Sequence, residues 1–282
     1  MAVDLHLHST ASDGTDTPTR VVQLAAAAGL TTIALTDHDR LDGIAEARAA
    51  AADEGIEIIS GTELSVDWES SGAVHMLVYY LEPGPGPLQN RLVWLQEARQ
   101  RRNLEIVDRL TALGLGLTIE EVEAEAGGMG VGRPHFAAVL IRKGYAANLP
   151  EAFDRWLAAG RPGYAARDRL HAADAIRLAR ASDAVPVIAH PHTIGISADE
   201  YRTTFERMTA LGLGGIESYY AEYQPRVRAH LATLCDDLGI VATGGSDYHG
   251  GFKPEIAVGV GRGDLLVPDE AVEKLAHNRA VG

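Results

Sequence analysis

Short β-type runs alternate with alanine-rich helical runs along most of the chain, and this alternation limits the possible folds more than any other feature. Strand candidates lie at 3–7, 32–35, 56–59, 74–81, 186–189, 215–219 and 240–244. Helix candidates lie at 18–28, 43–55, 172–182, 200–211 and 225–238. Several helices end at a glycine just before the next strand, as is typical of helix-to-strand turns. Repeated strand–helix units predict a mostly parallel sheet, either open or closed into a barrel.

The alternation breaks between residues 88 and 165, where no convincing strand is found. A Pro-Gly repeat at 83–87 predicts a stiff linker. Helix candidates follow at 88–113, 119–125, 135–143 and 150–157. A chain of 282 residues is long enough for one α/β barrel, which takes about 250 residues, with an insertion. We therefore predict a barrel formed by residues 1–87 and 166–282, interrupted by a helical insertion domain at 88–165.

Composition excludes several classes of protein. Because Cys235 is the single cysteine, neither an internal disulfide framework nor a cysteine-based zinc site can form. The net charge of −14 argues against sequence-independent binding to duplex DNA, which requires a basic face. No apolar run reaches the roughly 18 residues of a membrane span, and the first residues lack the pattern of a signal peptide. We expect a cytoplasmic protein.

Histidines and carboxylates concentrate at the ends of the predicted strands. His6 and His8 lie two residues apart on one strand, so their side chains point to the same face. Other ionisable groups follow or open later strands, namely Asp37, His38, Asp39, Glu63, His75, His190, His192, Asp247 and His249. Barrels of this class place their active sites at the carboxyl ends of the strands, and His75 is the one group that does not obviously fit. Imidazoles and carboxylates without thiolates indicate Mn, Fe or Zn ions.

These motifs resemble the polymerase and histidinol phosphatase (PHP) family of phosphoesterases. The matching segments are 4–9 (DLHLHS), 36–39 (TDHD), 61–63 (GTE), His75, 189–191 (AHP) and 245–249 (GSDYH), in the family's order. The resemblance covers almost the whole chain. It implies a distorted (β/α)7 TIM-like barrel with an α-helical insertion domain, holding up to three divalent metals. It also implies hydrolysis of a phosphate ester by water activated on those metals.

The resemblance assigns nine metal ligands. They are His6, His8, Glu63 and Asp247 for a first metal, with Glu63 bridging to a second that His75 and His190 also bind, and Asp13, His38 and His249 for a third. Manganese is the expected ion, with Fe or Zn as alternatives. Several family members have histidine at the position of Asp13, whose oxygen favours Mn or Fe over Zn. Alternatively, Asp13 is not a ligand but a turn residue in Ser12-Asp13-Gly14.

The general acid of the reaction stays open. Asp247 is mainly a ligand, but it could also accept a proton from the attacking water. His192 and His249 are candidates to protonate the leaving oxygen. Glycine usually follows Ala-His-Pro in the family, so His192 is a departure. It either donates to a phosphate or lies on a loop.

Basic residues of the insertion are candidates for substrate binding. Arg99, Arg102 and Asn103 lie near one helical face, and the alternative for them is a solvated surface. Arg133 and His135 lie beside a predicted helix start, where free amides and the helix dipole favour anions. Tyr164 either stacks on a base or packs at the barrel lip.

A PHP barrel with this insertion resembles a subgroup that acts on nucleoside 3′,5′-bisphosphates and converts adenosine 3′,5′-bisphosphate to AMP. One phosphate would lie on the metals and the other on the arginines. We expect the protein to bind a small nucleotide or a short RNA end. We do not expect it to bind duplex DNA or a membrane. The oligomeric state stays undetermined.

Three alternatives remain. One is a 5′-to-3′ exoribonuclease acting on short 5′-phosphorylated RNA, for which Tyr219, Tyr220 and Tyr223 would offer an aromatic path. Another is a histidinol-phosphate-type phosphatase, with Glu217 or Glu222 recognising the amino alcohol at the pocket mouth. The last is a non-catalytic metal-binding domain.

Overall fold

Eight strands form a single sheet in the computed structural model, which describes residues 2–69, 73–127, 130–166 and 168–281. The strands are β1 (Val3–Leu7), β2 (Thr32–Leu35), β3 (Glu57–Asp67), β4 (Ala73–Tyr79), β5 (Leu170–His171), β6 (Val185–Ile188), β7 (Gly215–Tyr220) and β8 (Val241–Gly245). Seven of them follow the order β1-β2-β3-β4-β6-β7-β8, and the short β5 pairs with β3 beside that path.

Backbone hydrogen bonds join the two ends of the sheet. The N–H of Asp247 donates to the carbonyl of His6 at 2.9 Å, and the N–H of His8 donates to the carbonyl of Tyr248 at 3.0 Å. Leu7 and Tyr248 also form a parallel bridge. The sheet therefore curls into a nearly closed barrel, which confirms the predicted barrel fold.

The barrel is distorted because β4 runs antiparallel to both of its neighbours, β3 and β6. The prediction of a short third strand, with Glu63 in the loop after it, was wrong. β3 continues to Asp67 because its second half pairs with β4, and Glu63 lies inside the strand opposite Leu77. The antiparallel direction also explains His75. The amino end of β4 meets the carboxyl ends of its neighbours, so His75 reaches the same end of the barrel.

Ten helices surround the sheet in the described residues. They are α1 (Pro18–Ala27), α2 (Ile44–Glu54), α3 (Pro87–Ala112), α4 (Ile119–Ala126), α5 (Arg133–Arg142), α6 (Leu149–Ala152), α7 (Ala172–Ala181), α8 (Ala198–Thr209), α9 (Pro225–Leu238) and α10 (Glu270–Val281). A π-helical turn, Phe153–Leu157, continues α6. Helix α10 and strand β5 had not been predicted. None of the helices in the described ranges combines the length and apolar composition needed to cross a bilayer.

The segment between β4 and β5 is helical throughout its described residues, and α3 ties it to the barrel. Leu88 and Leu95, near the start of α3, pack into a core cluster shared with the barrel. Ile106 and Leu110, near its end, pack instead with Phe136 in a separate cluster of the insertion. One helix of 26 residues therefore belongs to both cores. The division into residues 1–87 with 166–282, and 88–165, stays a prediction.

The insertion core provides a test of this packing. Phe136 is fully buried, so Phe136→Ala should lower the free energy of unfolding by about 3–5 kcal/mol through lost burial and a cavity. Val93→Ala is the control, because Val93 is 56% exposed on α3, and it should change the free energy by no more than about 0.5 kcal/mol. Urea denaturation followed by circular dichroism measures both. If Phe136→Ala and Val93→Ala had equal free energies of unfolding, the packing of Phe136 would not stabilise the fold.

Candidate metal and phosphate site

Four donor atoms converge where β1, β3 and β8 meet. They are the Nε2 atoms of His6 and His8, Oε2 of Glu63 and Oδ1 of Asp247. The two nitrogens lie 3.1 Å apart, and each lies 3.3–3.5 Å from the two oxygens. Ligands at about 2.1 Å from one tetrahedral ion would be about 3.4 Å apart. The donor set and its spacing therefore fit a divalent metal.

The second oxygen of Glu63 faces a different pair of histidines. Oε1 lies 2.9 Å from Nδ1 of His75 and 3.0 Å from Nε2 of His190. Oε2 also lies 3.2 Å from Nδ1 of His38. One buried carboxylate thus presents its two oxygens to two separate groups of imidazoles, which is the arrangement that a bridging ligand requires.

Asp13 faces a third pair of histidines. Its carboxylate oxygens lie 3.7 Å from Nε2 of His38 and 3.5 Å from Nε2 of His249. The loop that carries Asp13 is fixed by Asp37, which accepts hydrogen bonds from the hydroxyls of Ser9 at 2.7 Å and Ser12 at 2.6 Å. Asp13 is therefore a buried residue aimed at two imidazoles, and Asp37 supports it.

The cluster holds its carboxylates in the ionised form. Burial alone would raise the pKa of Glu63, but His38, His75 and His6 outweigh it and hold that pKa well below its usual range. Burial would likewise raise the pKa of Asp247. The positive charges of Lys253 and His6 outweigh burial, so the pKa of Asp247 also lies well below its usual range.

Glu217 lies in the site, and not at the pocket mouth where one alternative had placed it. It is fully buried. Its Oε1 lies 2.8 Å from Nδ1 of His6, and its Oε2 accepts from the backbone N–H of His190 at 2.7 Å. A role at the pocket mouth was therefore wrong for Glu217. A carboxylate that accepts from Nδ1–H leaves Nε2 of His6 as the ligand nitrogen. The only signal in the sequence was a charge within an otherwise buried strand.

Asp247 is supported from its other side. The hydroxyl of Tyr220 donates to its Oδ2 at 2.9 Å, and the ammonium of Lys253 contacts the same oxygen. These contacts leave Oδ1 directed at His6 and His8. Tyr220 is buried in this role, and Lys253 had not been singled out from the sequence.

Local backbone distortions aim the side chains at the site. Asp39, His190 and Asp247 each follow a strand and adopt positive φ angles of 55°, 24° and 56°. Such values are uncommon outside glycine and cluster at functional sites. Register irregularities in β1 and β7 fall beside His6 and Glu217, and bulges of this kind redirect side chains.

His192 lies on the exposed rim of the cluster. The hydroxyl of Tyr223 accepts from its backbone N–H at 3.0 Å and lies 2.9 Å from its Nδ1. Since the hydroxyl has its own proton to donate, this geometry favours Nδ1 as acceptor and leaves the ring proton on Nε2. The ring centroid of His192 lies 5.9 Å from that of His190. Burial and His190 lower the pKa of His192.

A cavity of about 210 Å³, here called the arginine cavity, borders the donor cluster. Four guanidinium groups line it, from Arg99, Arg102, Arg133 and Arg169, together with Tyr164 and the ligand candidates Asp13, His38 and His75. The guanidinium of Arg133 lies 5.7 Å from the ring centroid of Tyr164. Burial and the neighbouring Arg169 and Arg99 lower the pKa of Arg133, so a bound anion would relieve their repulsion.

The other predicted insertion residues lie in different surroundings. Arg99 forms a 2.8 Å ion pair with Asp39 of the barrel. Asn103 is buried and lines a second cavity on the other side of Arg99. His135 is also buried, and its Nδ1 accepts from the N–H of Gly132 at the start of α5. His135 therefore caps a helix in this structure. Arg169 joins the arginine cavity although no motif marked it.

Comparisons with known proteins agree with this site. The PHP domain model matches residues 4–113. The chain is 34% identical to a 5′-3′ exoribonuclease of Haemophilus influenzae, over 87% of this chain and 89% of that one. It is 33% identical to a 3′,5′-nucleoside bisphosphate phosphatase of Chromobacterium violaceum, over 88% of this chain and 87% of that one.

Solved structures show the same architecture. An amidohydrolase from Chromobacterium violaceum with bound sulfate and no metal superimposes with a TM-score of 0.84 and 32% identity, over 92% of this chain and 90% of that one. A protein from Bifidobacterium adolescentis, provisionally assigned as a metal-dependent phosphoesterase, superimposes with a TM-score of 0.86 and 29% identity, over 98% of this chain and 96% of that one.

Fold, donor cluster and relatives together define a metal-dependent hydrolase that acts on phosphate esters. The chain belongs to the PHP family of phosphoesterases, as its motifs predicted.

The support that Glu217 gives to His6 is testable. In Glu217→Gln the amide NH₂ would face either His6 Nδ1–H or the N–H of His190. Both of these groups are donors, so His6 would lose its support. Affinity for Mn²⁺ should therefore fall about 10- to 100-fold. Glu222→Gln is the matched control, because Glu222 is exposed and pairs with Arg262 at 3.5 Å. Calorimetric titration of metal-free protein measures both variants. Unchanged Mn²⁺ affinity in Glu217→Gln would contradict the role.

Proposed function

We propose that this protein removes the 3′-phosphate of nucleoside 3′,5′-bisphosphates, converting adenosine 3′,5′-bisphosphate to AMP and phosphate. The observation that supports this proposal is the contact between the arginine cavity and the donor cluster, which share Asp13, His38 and His75. The 5′-phosphate would pair with the guanidinium groups while the 3′-phosphate lies at the donor cluster. Two charge-assisted anchors would then select a bisphosphate over a monophosphate.

We further propose that the nine ligands named from the sequence form three metal sites, and that manganese is the ion bound there. Metal ions bound there would supply Lewis-acid activation of water and neutralise the phosphoryl oxygens. Imidazole and carboxylate donors without thiolates suit Mn or Fe, and the buried oxygen of Asp13 adds to that preference.

The chain's own residues would move the protons. Water adds to phosphorus as the bond to the ribose 3′-oxygen breaks, and that oxygen must receive a proton. His192 is the better candidate to donate it in its imidazolium form, in which the Tyr223 hydroxyl would accept from Nδ1–H and leave Nε2–H for the leaving oxygen. Nε2 of His249 faces Asp13 instead, which supports a ligand role. Oδ1 of Asp247 faces the donor cluster and could accept a proton from the attacking water.

An exoribonuclease acting on 5′-phosphorylated RNA is the second candidate, and the similarity to the Haemophilus influenzae enzyme favours it. It would use the same 5′-phosphate anchor. Tyr220 is buried, so its ring does not offer a surface on which a base could stack. A cytoplasmic location stays a prediction.

The first assay is phosphate release from adenosine 3′,5′-bisphosphate by the Mn-loaded enzyme. Release should be fast, with AMP as the product, while 3′-AMP should react much more slowly because it lacks the 5′ anchor. Chelation should abolish activity and added Mn²⁺ should restore it. A 5′-phosphorylated dinucleotide serves as the comparison substrate. Preference for the dinucleotide would favour the exoribonuclease, and turnover of neither substrate would reject both.

The anchor itself is tested by Arg133→Ala. Loss of one charged hydrogen-bond donor should raise KM for the bisphosphate about 10- to 100-fold with a smaller change in kcat. Arg101→Ala is the matched control, because Arg101 is 57% exposed on α3 and pairs with Asp168 at 3.6 Å. Steady-state kinetics would contradict the anchor if both variants kept the wild-type KM.

A further inference from the structure

A second cavity, of about 520 Å³, lies on the other side of Arg99 from the arginine cavity. The two cavities share two residues, Arg99 and His38. We refer to it as the amide cavity, because three side-chain amides from one face of α3 line it, those of Gln96, Gln100 and Asn103. Spacings of three, four and seven residues place them side by side along the helix.

The charge of the amide cavity differs from that of its neighbour. Four guanidinium groups line the arginine cavity. The amide cavity has Arg99, which is paired with Asp39, and Arg40, which is paired with Asp42, and it also contains the carboxylate of Glu123. A phosphate dianion is therefore better accommodated on the arginine side. The amide side suits a neutral group.

The remaining walls of the amide cavity are apolar. Leu104, Ile119 and Val131 line it, and Leu104 is 52% exposed there. Flat apolar surface beside a row of amides is the chemistry that recognises a nucleobase, whose faces are apolar and whose edge carries hydrogen-bonding groups.

Asn103 supplies an acceptor at this cavity. Its Nδ2 donates to the carbonyl of Val131 at 3.1 Å, which fixes the orientation of the amide and identifies the other atom as Oδ1. The side chain is 4% exposed, and Oδ1 has no hydrogen-bond partner among the residues that the structure describes. A buried acceptor without a partner is costly, so a ligand N–H is a natural partner for it.

We propose that the amide cavity binds the nucleobase of the substrate, with Leu104 against its face and Asn103 accepting from an N–H on its edge. This inference rests on the proposed function, since it places the ribose at the Arg99–His38 junction between the two cavities. Adenine, through its exocyclic amino group, satisfies the requirement.

The test compares three 5′-phosphates by calorimetry on the Mn-loaded protein. They are AMP, purine riboside 5′-monophosphate, which lacks the amino group, and ribose 5-phosphate, which lacks the base. We expect Kd to rise about tenfold from AMP to purine riboside 5′-monophosphate, because an acceptor stays unsatisfied. A further rise of about tenfold is expected for ribose 5-phosphate, because apolar surface stays uncovered.

Two single substitutions test whether the base binds in the amide cavity. Leu104→Ala should weaken AMP binding several-fold and leave ribose 5-phosphate binding unchanged. Val93→Ala, a comparably exposed aliphatic residue on α3 that does not line this cavity, should change neither. Both positions are exposed, so both variants should fold.

The outcomes separate this inference from the proposed function. Three equal Kd values would overturn the nucleobase site and leave the phosphate anchor intact. Equal Kd values for AMP and purine riboside 5′-monophosphate alone would overturn the role of Asn103. If none of the three bound and adenosine 3′,5′-bisphosphate was not hydrolysed, both the proposed function and this inference would fail.

Discussion

The carboxylate of Glu63, buried inside β3, is the interaction on which the rest of the site depends. Its two oxygens lie within 3.5 Å of ring nitrogens from five histidines, those of His6, His8, His38, His75 and His190. These residues come from β1, β4 and the segments after β1, β2 and β6. A buried anion is stable only when it is paired and hydrogen-bonded, so the strands must bring their imidazoles to it. The antiparallel β4 contributes to this pairing, because it delivers His75 to the same end of the barrel.

Charge is divided between the two parts of the molecule. The chain as a whole is acidic, with a net charge of −14. The arginine cavity nevertheless gathers four guanidinium groups beside a cluster of ionised carboxylates. Under the proposed function, metal cations and the second phosphate would therefore have separate, adjacent places. An overall negative charge disfavours long nucleic acids, whereas the local positive charge attracts a small anion.

The sequence allowed much of this site to be predicted, because the relevant signals were local. The i, i+2 spacing of His6 and His8, and the positions of Asp247 and His249 after a strand, depend only on strand geometry. The lengthening of β3 around Glu63 depends instead on pairing with a later strand, which no local pattern shows. Glu217 and Arg169 had no motif, since each acts through a partner distant in sequence, His6 and the arginine cavity respectively. His135 caps α5 through Nδ1, which no local pattern shows, and its contact with an anion stays a prediction.

The continuity of α3 has a mechanical consequence. A helix of 26 residues extends about 39 Å, and its two ends are embedded in different hydrophobic cores. The insertion cannot swing about its entry point without bending this helix or disrupting a core. The helix therefore sets the distance between the donor cluster and the two guanidinium groups that it carries, those of Arg99 and Arg102. Under the proposed function, this fixed separation would select ligands by the distance between their two phosphate groups.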